Sequence, residues 1–106
     1  MNKFETTLQK LQELFPDIPQ ILMVFLFGSV ARGDFSLRHS DLDLFIILKT
    51  KLVSEGLKEK LDALIFPIGY KEGVKIQTEY QGLEILHEDR TLVRKMIQEG
   101  KIIYSI

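Results

Sequence analysis

Apolar residues repeat along the first part of the chain with the spacing of one helix face. The members of this repeat are Phe4, Leu8, Leu11 and Phe15. Residues three to four positions apart lie on the same side of a helix, so the pattern predicts an amphipathic helix. Pro16 is expected to end it, because proline cannot continue the hydrogen-bond ladder. Residues 21–27 are then apolar without interruption up to Gly28, which favours a buried central strand.

A second strand and a second helix follow in the middle of the chain. Residues 41–48 alternate as a strand does, and apolar side chains on both of its sides indicate that both faces are covered. A helical stripe comes next and consists of Val53, Leu57, Leu61, Leu64 and Ile65. Pro67 is expected to close this helix. Residues 69–73, which begin and end with glycine, are typical of a turn.

The last third of the chain predicts a third strand and a third helix. Residues 74–80 alternate between apolar and polar side chains. Apolar residues between 92 and 97 mark a helix that Gly100 is expected to end, and residues 102–104 suggest a short edge strand. The order is helix, strand, strand, helix, strand, helix. It predicts a single α/β (α+β) domain over residues 1–106, in which helices flank one small mixed sheet.

Composition narrows the function classes without naming one. The formal net charge is −1, which argues against nucleic-acid binding by bulk electrostatic attraction. The sequence has no cysteine, so disulfides and thiolate metal sites are excluded. The N-terminus lacks the apolar core of a signal peptide, and residues 21–27 are too few to span a bilayer. We therefore expect a cytoplasmic protein without a membrane partner.

Two carboxylates mark the start of the second predicted strand. Asp41 and Asp43 are one residue apart, and because strand side chains alternate they point to the same face. Two neighbouring carboxylates repel each other unless a positive group lies between them. Mg²⁺ takes oxygen ligands of this kind and often brings a substrate phosphate with it. Exposed aspartates at a strand entry are the alternative, although aspartate is disfavoured in strands.

A second candidate feature is the turn directly after the first strand. Gly28 allows the backbone to approach a ligand closely, and the hydroxyl of Ser29 can bond a phosphate oxygen. Arg32 and Arg38 lie between this turn and the aspartates, and guanidinium groups suit bidentate phosphate contacts. Solvent exposure is the simpler interpretation for Arg38. An ordinary strand-to-helix turn with a serine cap is the alternative for the whole feature.

Together these segments resemble the nucleotidyltransferase signature of the DNA polymerase β superfamily. Residues 28–33, Gly-Ser-Val-Ala-Arg-Gly, and residues 40–44, Ser-Asp-Leu-Asp-Leu, carry the resemblance. It is closest to the small stand-alone minimal nucleotidyltransferases (MNT proteins) and covers nearly the whole chain. The resemblance implies a helix-flanked mixed sheet. It also implies transfer of a nucleoside monophosphate, most simply AMP from ATP, to an acceptor hydroxyl.

The resemblance implies a role for each part of the motif. Gly28 and Ser29 would hold the triphosphate, and Arg32 is the nearby guanidinium that could assist them. Asp41 and Asp43 would bind Mg²⁺ as the metal cofactor and act as catalytic carboxylates. In the family a third carboxylate on the next strand helps to activate the acceptor hydroxyl.

The sequence does not decide which residue supplies the third carboxylate. The polar side of the third predicted strand consists of Lys75, Gln77 and Glu79. Glu79 is the only acid among them, so it is the candidate third catalytic residue. If Gln77 or Lys75 lies beside the two aspartates instead, the site would bind nucleotide and transfer it poorly. A solvated strand residue is the alternative for Glu79.

The short domain leaves little room for a separate acceptor-binding domain. Small proteins of this type resemble antitoxins that pair with an all-helical HEPN protein, which implies a tyrosine of such a partner as acceptor. A second subunit in a homodimer is another candidate partner. The alternative function is a catalytically weak or inactive binding module that inhibits a HEPN-type partner by complex formation. A plain Mg²⁺–nucleotide sensor is a third hypothesis.

Overall fold

The computed structural model describes residues 1–88 and 90–106 and contains one four-stranded mixed sheet. The strands are β1 (Ile21–Phe27), β2 (Leu42–Leu48), β3 (Ile76–Gln81) and β4 (Lys101–Ser105). Their order across the sheet is β3-β2-β1-β4. β1 runs antiparallel to both β2 and β4, whereas β2 and β3 are parallel. The predicted fold class is confirmed, with β1 inside the sheet and β4 at one edge.

Helices connect and cover these strands. They are α1 (Lys3–Leu14), α2 (Gly28–Arg32), α3 (Glu55–Lys71), α4 (Ile85–Glu88) and α5 (Arg90–Glu99). Side chains cap the two longest helices: Asn2 accepts a bond from the Glu5 N–H, and Ser54 accepts one from the Leu57 N–H. Such caps satisfy backbone donors that a helix start leaves free. Within the described residues, no helix combines the length and apolar character needed to cross a membrane.

Pro67 does not end α3, contrary to the prediction. The helix continues to Lys71, so the turn expected over residues 69–73 begins only after it. Pro67 is exposed, and the carbonyl left without a partner by its missing N–H can be hydrated there. The last turns also pack tightly, since a β-carbon on Gly69 would lie 2.6 Å from the carbonyl oxygen of Val74. Tertiary packing therefore outweighs the local cost of proline.

The two faces of the sheet have different cover. One face packs against α1 and α3 in the larger core, where Leu11 and Leu61 are fully buried. The other face packs against α4 and α5 through a smaller cluster. Its buried members are Phe25, Phe45, Ile47 and Met96. Because side chains alternate along β2, Asp43 shares this second face with Phe45 and Ile47.

Candidate active site

The aspartate pair lies where β2 begins, on the face covered by α5. Asp41 directly precedes the strand and Asp43 is its second residue, and both are partly exposed. Asp43 pairs with Phe27 of β1 on one side and with Gln77 of β3 on the other. Asp43 is thus held at the middle of three neighbouring strands, which fixes its position better than a loop would.

The turn after β1 packs directly against this pair. Gly28 has a φ of 78°, a conformation that residues with a β-carbon avoid. A β-carbon built on Gly28 would collide with Oδ2 of Asp43. Glycine is therefore required here for two independent reasons, its backbone conformation and the close approach of a carboxylate. The two halves of the sequence motif meet at this contact.

Serine hydroxyls tie the turn to the loop that leads into β2. The Ser29 hydroxyl donates a 2.8 Å hydrogen bond to Oγ of Ser40, the residue before Asp41. The Ser40 hydroxyl oxygen also accepts a bond from the Ser36 N–H at 2.8 Å. Because Ser40 bonds both Ser29 and the backbone of its own loop, it helps to set the position of Ser29 relative to the aspartates.

The parallel pairing of β2 and β3 decides which polar residue of β3 stands beside the aspartates. Gln77 is paired with Asp43, and its amide donates a 2.7 Å hydrogen bond to Oδ2 of Asp41. Glu79 lies two residues further along β3, opposite Phe45, which is about 6.6 Å along the strand. Lys75 precedes β3 and bonds β2 through its carbonyl, which accepts from the Leu42 N–H.

Electrostatics at the pair favour a bound cation. Burial raises the pKa of the Asp43 carboxyl, and the neighbouring Asp41 raises that pKa further. A cation would oppose both effects, because it stabilises the charged carboxylate. Two carboxylates are hard oxygen donors of the type that Mg²⁺ prefers. The donor set therefore fits a divalent cation, although the described residues include no cluster of three acidic or histidine side chains.

A cavity of about 370 Å³ opens on this face. Its lining combines aromatic and aliphatic groups with two acids and one base: Phe27, Asp43, Leu44, Phe45, Gln77, Thr78, Glu79 and Lys95. Asp43, Gln77 and Glu79 thus line one space. Lys95 is brought there by α5, whose neighbouring Met96 is buried against the sheet. The cavity has room for part of a small substrate.

Arg32 is placed at the periphery. Its Nε lies 3.3 Å from Oδ2 of Asp34, and both side chains are more than half exposed. Together with Gly28 and Lys101 it lines a second cavity of about 500 Å³, and Phe27 lines both this cavity and the first. Arg38 is exposed, as expected. The Arg32 side chain is therefore exposed and lines the same cavity as Gly28.

Sequence reasoning missed the contribution of α5 and of the aromatic side chains. Lys95 precedes the buried Met96, but helical spacing alone cannot say which face of the sheet that helix covers. Phe27 and Phe45 belong to the apolar segments that predict the first two strands, and they also line the cavity beside Asp43. The sequence places Phe45 two residues after Asp43, so both lie on one face of the strand. The position of Phe27 opposite Asp43 depends on the strand pairing.

Comparison with known proteins supports the same fold. A family model described as polymerase beta nucleotidyltransferase matches residues 9–106. A solved toxin–antitoxin complex with AMP-PNP is 20% identical with a TM-score of 0.56, over 100% of this chain and 75% of that chain. A solved structure of a tri-AMPylated Shewanella oneidensis HEPN toxin in complex with an MNT antitoxin is 16% identical with a TM-score of 0.57. The match covers 96% of this chain and 72% of that chain.

A third solved structure, the toxin–antitoxin pair MntA–HepT, is 16% identical with a TM-score of 0.58, over 96% of this chain and 73% of that chain. At such identities the similarity establishes the fold and no more. No curated protein sequence gives a significant match. The match of the family model spans nearly the whole chain and confirms the resemblance to nucleotidyltransferases of the polymerase β superfamily. The similarity to MNT antitoxins is one of fold. The chain belongs to the polymerase β nucleotidyltransferase family.

Proposed function

We propose that this protein transfers a nucleoside monophosphate, most simply AMP from ATP, to an acceptor hydroxyl. The observation that carries the proposal is the contact between the backbone of Gly28 and the carboxylate of Asp43. It brings a turn suited to phosphate groups against a carboxylate suited to a divalent cation. Nucleoside triphosphates bind with such cations, so one ligand would satisfy both halves of the site.

Asp41 and Asp43 would hold Mg²⁺ in this proposal. When bound, the cation supplies positive charge that stabilises the phosphate oxygens during transfer. Gly28 and Ser29 would contact the outer phosphates, and the exposed guanidinium of Arg32 would add a further contact. The raised pKa of Asp43 supports this assignment, because a cation would offset the burial and repulsion that raise it.

The transfer step follows from the same arrangement. The acceptor oxygen forms a bond to the α-phosphorus, the bond from that phosphorus to the bridging oxygen breaks, and pyrophosphate leaves. The proton of the acceptor hydroxyl passes to the carboxylate of Glu79, which lines the same cavity as Asp43. Glu79 lies two residues along β3 beyond the partner of Asp43, so in this proposal it receives a proton and is not a metal ligand. Positioning and charge stabilisation supply most of the rate.

The proposed acceptor is a hydroxyl of a helical HEPN-type partner, such as a tyrosine. Support comes from the solved neighbours, which are toxin–antitoxin complexes and include an AMPylated HEPN toxin bound to an MNT antitoxin. The cavity of about 370 Å³ has room for part of a substrate and not for a whole protein. A partner would therefore present its hydroxyl at the mouth of the site.

A binding module is the second candidate, and the position of Gln77 favours it. An amide, and not an acid, is paired with Asp43 and bonded to Asp41. If Glu79 cannot act as the proton acceptor from its position two residues further along β3, the protein would bind a nucleotide and a partner with little transfer. In that case inhibition of the partner would come from the complex alone.

Label transfer distinguishes the two candidates. The protein is incubated with ATP labelled on the α-phosphate, Mg²⁺ and a HEPN-type partner, and label on the partner is measured. Asp43→Asn should lower transfer about 100-fold or more, since it removes a carboxylate that holds the cation. Asp17→Asn, the same change at an exposed position of the segment after α1, should leave transfer unchanged.

Three outcomes are informative. Label on the partner that Asp43→Asn abolishes supports the transferase. A stable complex without label supports the binding module. Transfer by Asp43→Asn at the rate of the wild type contradicts the proposed site. Asp43→Asn should not unfold the domain. Burial and Asp41 raise the pKa of Asp43, so the folded protein disfavours the ionised carboxylate. The neutral amide of asparagine should therefore not lower Tm in the absence of metal.

A further inference from the structure

Gln77 occupies the position on β3 nearest to both aspartates. Its Cα is paired with that of Asp43, and its Nε2 lies 2.7 Å from Oδ2 of Asp41. Gln77 and its hydrogen bond therefore belong to the same small patch as the two carboxylates. An amide in this place is chemically specific, because it can donate to a carboxylate without adding charge.

The amide limits the negative charge of the patch. Asp41 and Asp43 bring two charges, and Gln77 brings none. The next acid along β3, Glu79, is opposite Phe45 and about 6.6 Å further along the strand. A carboxylate at the place of Gln77 would attract a divalent cation between the aspartates strongly, because opposite charges a few ångströms apart interact even when partly screened. The chain lacks that attraction.

We propose that Gln77 sets the cation affinity of the site, keeping it weak until a nucleotide supplies further negative charge. This inference rests on the proposed function, because it takes Asp41 and Asp43 as the residues that hold the cation. Its consequence is that cation and nucleotide bind together: each raises the affinity for the other by the same factor. The protein free of nucleotide then holds little metal.

The test replaces the amide by the isosteric acid. Gln77→Glu should bind Mn²⁺ about tenfold or more tightly than the wild type in the absence of nucleotide, measured from the electron paramagnetic resonance signal of free Mn²⁺. Gln81→Glu is the matched control, because Gln81 ends the same strand, paired with Ile47. It adds the same charge on the same side of β3, about 13 Å away, and should change the affinity less than twofold.

Thermal unfolding provides a second measurement that does not depend on activity. Without metal, Gln77→Glu places a third carboxylate beside two others, so its Tm should fall below that of Gln81→Glu. Saturating Mn²⁺ should restore the Tm of Gln77→Glu and change that of Gln81→Glu much less. A Gln77→Glu protein that is stable without metal would contradict the charge argument.

Asp43→Asn separates failure of this inference from failure of the proposed function. If Asp43→Asn leaves the Mn²⁺ affinity of the wild type unchanged, the proposed metal site is wrong and the role of Gln77 falls with it. If Asp43→Asn abolishes Mn²⁺ binding while Gln77→Glu and Gln81→Glu have equal affinities, the site stands and the role of Gln77 is overturned.

Discussion

Replacing Gly28 by alanine tests the contact that joins the two halves of the motif. The residue has a φ of 78°, and its added β-carbon would collide with Oδ2 of Asp43. The backbone conformation alone costs about 1–2 kcal/mol for a residue with a β-carbon. Forcing an extra methyl group into a tight contact costs about 1–3 kcal/mol more. We therefore expect Gly28→Ala to lower the free energy of unfolding by about 2–5 kcal/mol.

Gly33 offers a matched control a few residues away. Its φ is 82°, and a β-carbon there would meet no atom within 4 Å. Gly33→Ala should therefore lose only the conformational part, about 1–2 kcal/mol. Urea unfolding followed by far-UV circular dichroism measures both variants under the same conditions. The difference between the two variants isolates the collision with Asp43.

A double-mutant cycle makes the test sharper. In an Asp43→Ala background the colliding oxygen is gone, so Gly28→Ala should cost no more than Gly33→Ala does. The coupling between positions 28 and 43 should then be about 1–3 kcal/mol. Equal losses for Gly28→Ala and Gly33→Ala in the wild-type background, or a coupling of zero, would refute the close approach of turn and carboxylate.

Three further predictions concern α3 and its contacts. Tyr80→Phe should lower the free energy of unfolding by about 1–2 kcal/mol in urea titrations, because the buried hydroxyl donates a 2.6 Å bond to Oδ1 of Asp62. Gly69→Ala should lower stability by about 1–3 kcal/mol, since its β-carbon would meet the carbonyl of Val74. Gly56→Ala on the same helix has open space and should raise stability by about 0.5 kcal/mol; thermal unfolding of the two alanine variants checks the difference in sign.

The strands and the motif could be predicted because their signals are local. The run of apolar residues at 21–27 and the alternation at 41–48 each describe one strand on its own. Gly28 follows β1 and Asp43 lies near the start of β2. The antiparallel pairing of these two strands brings the two residues together. The end of β1 lies beside the start of β2 in the antiparallel register, so Gly28 and Asp43 are neighbours and the sequence motif contains both.

The partner of Asp43 on β3 could not be predicted in the same way. A shift of two residues along β3 keeps every apolar side chain on the same face, so alternation does not distinguish Gln77 from Glu79. The register is set by the whole of α3, which connects two parallel strands. Pro67 shows the same limit: its local effect is known, but the packing of Gly69 against Val74 is decided by the tertiary structure.

The strand that carries Gln77 and Glu79, β3, lies at one edge of the sheet, whose order is β3-β2-β1-β4. The site is therefore bounded on one side by an edge strand of the sheet. A hydroxyl on a large, folded molecule can approach such a site without entering a deep pocket. If the site transfers a nucleotide as proposed, the choice of acceptor depends on which molecule is held nearby. Association would raise the local concentration of one hydroxyl into the millimolar range. In evolution, a chain built this way could change its target by changing its docking partner while Asp41, Asp43 and the turn at Gly28 stay the same.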